Sequence, residues 1–124
     1  MKSFFGIVLL LSACIFANEF TFATWNLRWQ SKGDKENGNG CDKRVKPISD
    51  VINFYDFDIV NTQENSEAHV RDLMPYLPNY EIIQVDTLEH NAILLKKGKF
   101  EVLERGRFYL SKTPKKRSKS WDSK

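Results

Sequence analysis

The chain has 124 residues, of which 41% are hydrophobic and 28% are charged, and its formal net charge is +3. This length suits one domain of ordinary size and excludes two. A charge this small does not by itself indicate a nucleic-acid or membrane partner.

The first 17 residues have the layout of a secretory signal peptide. Lys2 precedes a short apolar run at residues 4–11, and small residues follow. The run is too short to span a bilayer, which takes about 20 apolar residues; a buried N-terminal helix is the other interpretation. The pattern predicts an exported protein, located in the periplasm, at the outer membrane or outside the cell, with its domain in residues 18–124.

Two exit routes from this segment remain open. Residues 11–14 resemble a bacterial lipobox, in which Cys14 is lipidated and tethers the protein to a membrane. A cut after Ala17 would instead release an ordinary secreted chain. Either route leaves Cys41 as the only ordinary thiol, and an odd cysteine in an exported protein predicts a free thiol or a missing partner.

A strand, a loop and a helix are predicted for the first part of the domain. Residues 19–27 are rich in aromatic and β-branched side chains and alternate as a strand does. Residues 30–40 contain three glycines and no hydrophobic period, which predicts a long exposed loop of the kind that often has a function. Residues 42–55 predict a helix with one apolar face and with Pro47 near its first turn. That face consists of Val45, Ile48, Val51, Ile52 and Tyr55.

The next segments complete a βαβ-like unit. Residues 59–63 read as a short buried strand, so that a strand, a helix and a second strand follow one another with short connections. Residues 65–74 predict a second helix, which Pro75 and Pro78 close.

The remaining pattern predicts β-structure followed by a basic segment. Strands are expected at residues 80–85 and 91–95, and a turn at residues 96–99 leads to another strand at residues 100–110, with a bend or bulge at Gly106. The polar segment after it could attract phosphate-bearing substrates or anionic surfaces, or could be a solvated loop. Its basic residues are Lys112, Lys115, Lys116, Arg117, Lys119 and Lys124.

Polar side chains follow two of the predicted strands at the points where the strands end. Asn26 lies at the end of the first strand, just past its apolar run, and Gln63 and Glu64 lie at the end of the second, just past Ile59 and Val60. Ligands gather at strand ends in layered α/β domains. A carboxylate there can hold Mg²⁺ together with water and phosphate oxygens, and an amide can bind phosphate without adding charge. Strand-end Asn and Glu are also common without a site, so position alone does not decide the function.

Several segments, in order, resemble the endonuclease/exonuclease/phosphatase superfamily, and in particular a secreted bacterial branch of it. Residues 24–28, Thr-Trp-Asn-Leu-Arg, resemble its opening motif, and residues 58–64 resemble its Gln-Glu motif. Residues 91–94, 108–114 and 120–122 resemble a later strand, a Phe-Trp-Leu-Ser-Glu-Thr-Pro segment and the turn beyond it. The resemblance implies an α/β (α+β) layered sandwich. It also implies that this chain is the N-terminal portion of a four-layer, two-sheet fold.

The resemblance also implies roles at the matching positions. Glu64 would bind a catalytic Mg²⁺ or Mn²⁺. Asn26 would lie beside Glu64 and would either bind the metal directly or orient the phosphate or the metal's ligands. Arg28 is a candidate substrate-binding residue. A metal-activated water would then attack a phosphate ester of a nucleic acid, a phospholipid, or a sugar or inositol. His69 and His90 do not match the family's catalytic histidine, and we expect ordinary surface or helix histidines.

The family's domain is about twice as long, and the 124 residues contain neither its Asp-x-Asn motif nor its terminal Ser-Asp-His segment. Asp122 is expected to be structural. We therefore expect phosphoesterase activity in a longer parent protein, and a poorly soluble, inactive fragment when these residues are expressed alone. The alternative is an exported binding module that keeps the scaffold and docks on anionic surfaces through its basic segment.

Overall fold

The computed structural model describes residues 19–83 and 90–121. The predicted signal peptide with Cys14, the end of the strand expected at residues 80–85, and Asp122 lie outside the described residues. Within the described ranges, no helix is both long and apolar enough to cross a membrane.

The described residues form a mixed α/β structure around one four-stranded sheet. Its elements are β1 (Phe22–Asn26), α1 (Lys32–Glu36), α2 (Cys41–Tyr55), β2 (Ile59–Gln63), α3 (Glu67–Leu73), a 3₁₀ turn (Met74–Tyr76), β3 (Tyr80–Ile83) and β4 (Ala92–Lys96). The strand order is β1-β2-β4-β3. The β1 and β2 strands are parallel neighbours, and β4 runs antiparallel to both β2 and β3. The predicted βαβ unit is therefore confirmed.

One face of the sheet packs against α2 and α3 to form the core. Val60 and Leu94 on the central strands are 0% exposed, as is Ile52 of α2. Burying one such side chain stabilises the fold by about 1.5–3 kcal/mol. Two members of the predicted apolar helix face are exposed instead, Val51 and Tyr55. The Tyr55 ring, in the last turn of α2, stacks on Phe57 with ring centroids 5.4 Å apart.

The prediction of a continuous loop at residues 30–40 is wrong, because α1 lies inside it. The Ser31 hydroxyl accepts a hydrogen bond from the Asp34 amide, and the Asp34 carboxylate accepts one from the Ser31 amide. This reciprocal capping box starts a helix despite the surrounding glycines. The position expected for Pro47 is also wrong. Because α2 already begins at Cys41, Pro47 lies in its second turn.

The strand predicted at residues 100–110 is wrong as well, since this segment has no regular secondary structure. A strand needs a neighbour for its backbone groups, and in the described sheet the edge strands β1 and β3 do not pair with this segment. Leu103 and Phe108 in this segment are 86% and 72% exposed. The described basic residues after it are all exposed, which fits both interpretations of that segment.

Candidate active site at the strand ends

The structure brings the two predicted site residues into contact. Because β1 and β2 are parallel and Asn26 pairs in register with Gln63, the residues at both carboxyl ends meet at one edge of the sheet. The Asn26 side-chain Nδ2 donates a hydrogen bond to Oε1 of Glu64 over 2.9 Å. The predicted proximity of Asn26 and Glu64 is therefore confirmed, while their roles in catalysis and metal binding stay predictions.

The loop after β1 wraps around the Glu64 carboxylate. The backbone N–H of Trp29 donates to Oε2 of Glu64 at 2.6 Å, and the N–H of Arg28 donates to Oδ1 of Asn26 at 2.8 Å. The hydrogen bond from Asn26, followed by that from the Trp29 amide, lowers the pKa of Glu64 below its ordinary value. Glu64 is thus ionised at neutral pH, as a carboxylate that binds a cation must be.

Backbone strain is concentrated at this place. Five described residues other than glycine have positive φ, and three of them lie here: Arg28 at 61°, Glu64 at 56° and His90 at 52°. Such conformations cost about 1–3 kcal/mol each and persist where the surroundings hold them, often at functional sites. The sequence gives no sign of this strain.

The Arg28 side chain points its guanidinium at α1. Its Nη2 donates to Oδ1 of Asp34 at 2.6 Å in an ion pair whose arginine side chain is 71% exposed. Hydrogen bonds from Ser31, and then the one from Arg28, lower the pKa of Asp34 to about 2. The positive charge of Arg28 also helps to lower the pKa of Glu64. The guanidinium thus acts on the site electrostatically, although it donates its hydrogen bond to Asp34.

Neither histidine is a surface residue of the expected kind. His69 lies on α3, in agreement with the prediction of a surface or helix histidine. It is 0% exposed, however, and its ring nitrogens have no hydrogen-bond partner among the described residues. Burial, assisted by the nearby Arg44 charge, lowers the pKa of His69. His90 lies outside any helix, and its ring packs on that of Trp29 with centroids 4.2 Å apart. Sequence reasoning missed both placements because they depend on tertiary contacts.

A cation would find a partial set of ligands here. Within the described ranges, no group of three or more His, Cys, Asp or Glu side chains is arranged to hold a metal. Mg²⁺ characteristically takes one or two carboxylates and completes its shell with waters and phosphate oxygens. The ionised Glu64 carboxylate with the neighbouring Asn26 amide fits such an open site.

A cavity of about 500 Å³ adjoins the chain segments that carry the site. Gln30, two residues after Arg28, and Ser66, two residues after Glu64, both line it. The rest of its lining comes from the end of α1, the connection to α2, the start of α2, and α3: Lys35, Gly38, Gly40, Cys41, Asp42, Lys43, Ala68 and Asp72. The mixture of amide, hydroxyl, carboxylate and ammonium groups offers both donors and acceptors to a polar ligand. The Cys41 thiol in this lining is buried and free within the described residues, so the two predicted alternatives, a free thiol or a missing partner, stay open.

Comparison with known proteins gives matches among solved structures alone. No protein-family model and no curated protein matches the chain. An endonuclease/exonuclease/phosphatase family protein from Bacteroides thetaiotaomicron is 36% identical, with a TM-score of 0.76, over 84% of this chain and 41% of its own. A mannosyl-6-phosphatase from the same species is also 36% identical, with a TM-score of 0.76, over 85% of this chain and 42% of its own.

A third family member, from Bacteroides vulgatus, is 27% identical with a TM-score of 0.67, over 77% of this chain and 38% of its own. The chain thus spans about two fifths of the length of these solved relatives. Sequence identity and fold thus agree over most of the 124 residues. This chain belongs to the endonuclease/exonuclease/phosphatase family, of whose domain it represents a part.

Proposed function

We propose that this chain contributes to a metal-dependent phosphoesterase in which Glu64 holds Mg²⁺ or Mn²⁺ for the hydrolysis of a phosphate ester by an activated water. The contact between Asn26 and Glu64, at the ends of two parallel strands and at the motif positions of the family, is the observation that carries the proposal. Membership of a phosphoesterase superfamily supports it.

The chain's own residues would prepare the carboxylate for the cation. Glu64 supplies the negative charge, and Asn26 and the Trp29 amide orient its two oxygens. The bound cation would polarise the phosphate and lower the pKa of a water that attacks it. Arg28, whose charge already lowers the pKa of Glu64, would add attraction for the substrate phosphate.

A sugar phosphate is the substrate class that we propose to test first. One relative with 36% identity is named a mannosyl-6-phosphatase. The polar cavity lined by Gln30 and Ser66, which are close in the chain to Arg28 and Glu64, also has carboxylates in its lining and suits a hydroxyl-rich ligand. An inositol phosphate, a phospholipid headgroup and a dinucleotide are the competing substrates for the same assay.

We further propose that the protein is exported, on the basis of the signal-peptide pattern of residues 1–17, with a membrane tether if Cys14 is lipidated. The 124 residues alone would bind a cation weakly and would not turn over substrate. The described part of the chain has no cluster of three ligand side chains, and hydrolysis takes a general base in addition to the metal.

Cation binding by purified protein tests the role of Glu64. Titration calorimetry with Mn²⁺ should show at least tenfold weaker binding for Glu64→Gln, because the substitution removes the one charged ligand in contact with Asn26. Glu67→Gln is the matched control, since Glu67 is an exposed carboxylate three residues away at the start of α3. Equal Mn²⁺ affinity for both variants would refute the assignment.

A further inference from the structure

We propose that Trp29 and His90 form an aromatic clamp, consisting of their two rings in tilted contact, that positions Glu64 for cation binding. The inference rests on the proposed function of Glu64 and adds two residues that the family resemblance does not assign. Neither ring is itself suggested as a ligand. Both act through the backbone and side chain of Glu64, so they are positioning residues.

The clamp closes a circuit of contacts around Glu64. The Trp29 backbone N–H donates to Oε2 of Glu64 at 2.6 Å. The ring of Trp29 packs on the ring of His90, with centroids 4.2 Å apart and planes inclined by 58°. The carbonyl of His90 accepts a hydrogen bond from the N–H of Asn65 at 2.6 Å. Asn65 follows Glu64 directly in the chain, so the circuit fixes both the backbone and the carboxylate of Glu64.

Glu64 needs such support because its conformation is unfavourable in isolation. Its φ of 56° lies in the left-handed region, which a side chain with a Cβ seldom occupies. Its side chain is exposed and would otherwise sample several rotamers, whose restriction opposes cation binding. Two hydrogen bonds, from Asn26 and Trp29, hold the carboxylate, and the one from Trp29 depends on where the loop after β1 rests.

The ring contact is what joins that loop to the segment entering β4. Trp29 is 44% exposed, and its ring contacts that of His90. His90 also has a positive φ, of 52°, and its Nδ1 is buried without a hydrogen-bond partner among the described residues. Polar burial and backbone strain both work against the observed placement of His90. The contact of the His90 ring with the Trp29 ring is the interaction that opposes this burial and strain.

Amide hydrogen exchange measured by NMR tests the clamp without any metal. In His90→Ala the Trp29 amide should exchange about fivefold faster, within the range expected for losing an aromatic pair. His90→Phe keeps a ring at this position and should restore slow exchange. The Leu27 amide, bonded to the Gln63 carbonyl at 2.9 Å in the same loop, should not change. Tyr55→Ala removes a stacked ring far along the chain and serves as the matched control.

The second arm of the experiment is Mn²⁺ affinity, which should weaken by a similar factor in His90→Ala and recover in His90→Phe. The clamp is overturned if Trp29 exchange changes less than twofold, if Leu27 exchange rises equally, or if Mn²⁺ affinity stays constant while Trp29 exchange rises. If the unsubstituted chain binds no Mn²⁺, the proposed function of Glu64 fails. The exchange arm then decides the clamp by itself.

Discussion

The buried pair of Thr62 and Asn65 supports the turn that carries Glu64, and its contribution can be measured by substitution. Both side chains are 0% exposed. The Asn65 Nδ2 donates to Oγ1 of Thr62 at 3.0 Å, and that hydroxyl donates to the Ala92 carbonyl at 2.8 Å. Thr62→Val has nearly the same shape but leaves the Asn65 amide without this acceptor. We expect it to lower the free energy of unfolding by about 2 kcal/mol, because an orphaned buried donor costs about 1–3 kcal/mol.

The double variant Thr62→Val with Asn65→Leu should be less destabilised than Thr62→Val alone. Replacing both partners of a buried hydrogen bond by apolar groups is nearly neutral, and Oδ1 of Asn65 already has no partner among the described residues. Urea denaturation of both single variants and the double variant completes the cycle. Strictly additive losses, or a loss below about 0.5 kcal/mol for Thr62→Val, would contradict the reasoning.

Three further predictions concern ionisation. Asn26→Ala should raise the pKa of Glu64 towards its ordinary value, because the Asn26 hydrogen bond is the largest cause of the lowering; NMR titration of the carboxyl carbon measures it, and an unchanged pKa would refute this cause. The free energy of unfolding should fall as the pH drops below about 6.5, because folding lowers the pKa of His69 and the unfolded state therefore takes up the proton first. In His69→Gln, the midpoint of urea denaturation should depend less on pH across this window. Hydrogen bonds from Lys99 and then Thr21 lower the pKa of Asp58 to about 2. The stability that these bonds add is therefore present above about pH 3.8 and is lost as the pH falls through 2. Asp58→Asn should remove this acid dependence of the free energy of unfolding, and an identical acid profile for the variant would contradict the prediction.

The sequence was sufficient where a local period and the fold agreed. The β1–α2–β2 unit follows from alternation and from three- and four-residue spacings, and both are properties of a short segment. Its parallel strands then place Asn26 near Glu64 by geometry alone. The α1 helix was missed because three glycines hid a capping box made by Ser31 and Asp34.

The errors arose where structure depends on distant neighbours. Residues 100–110 alternate like a strand, but alternation does not supply the adjoining strand that a ladder requires. His69 has no sequence feature that distinguishes a buried imidazole from an exposed one, because its burial is decided by packing around α3. The contact between Trp29 and His90 joins segments about 60 residues apart and was equally invisible to local reasoning.

Asn26 lies on the face of the sheet opposite the one that packs against α2 and α3. Side chains alternate along β1, and Ala23 and Trp25 pack towards the core beneath α2 and α3. Phe22 and Asn26 lie on the opposite face and are exposed. Within the described residues, α2 and α3 therefore lie on the other face of the sheet from the Asn26 amide that contacts Glu64.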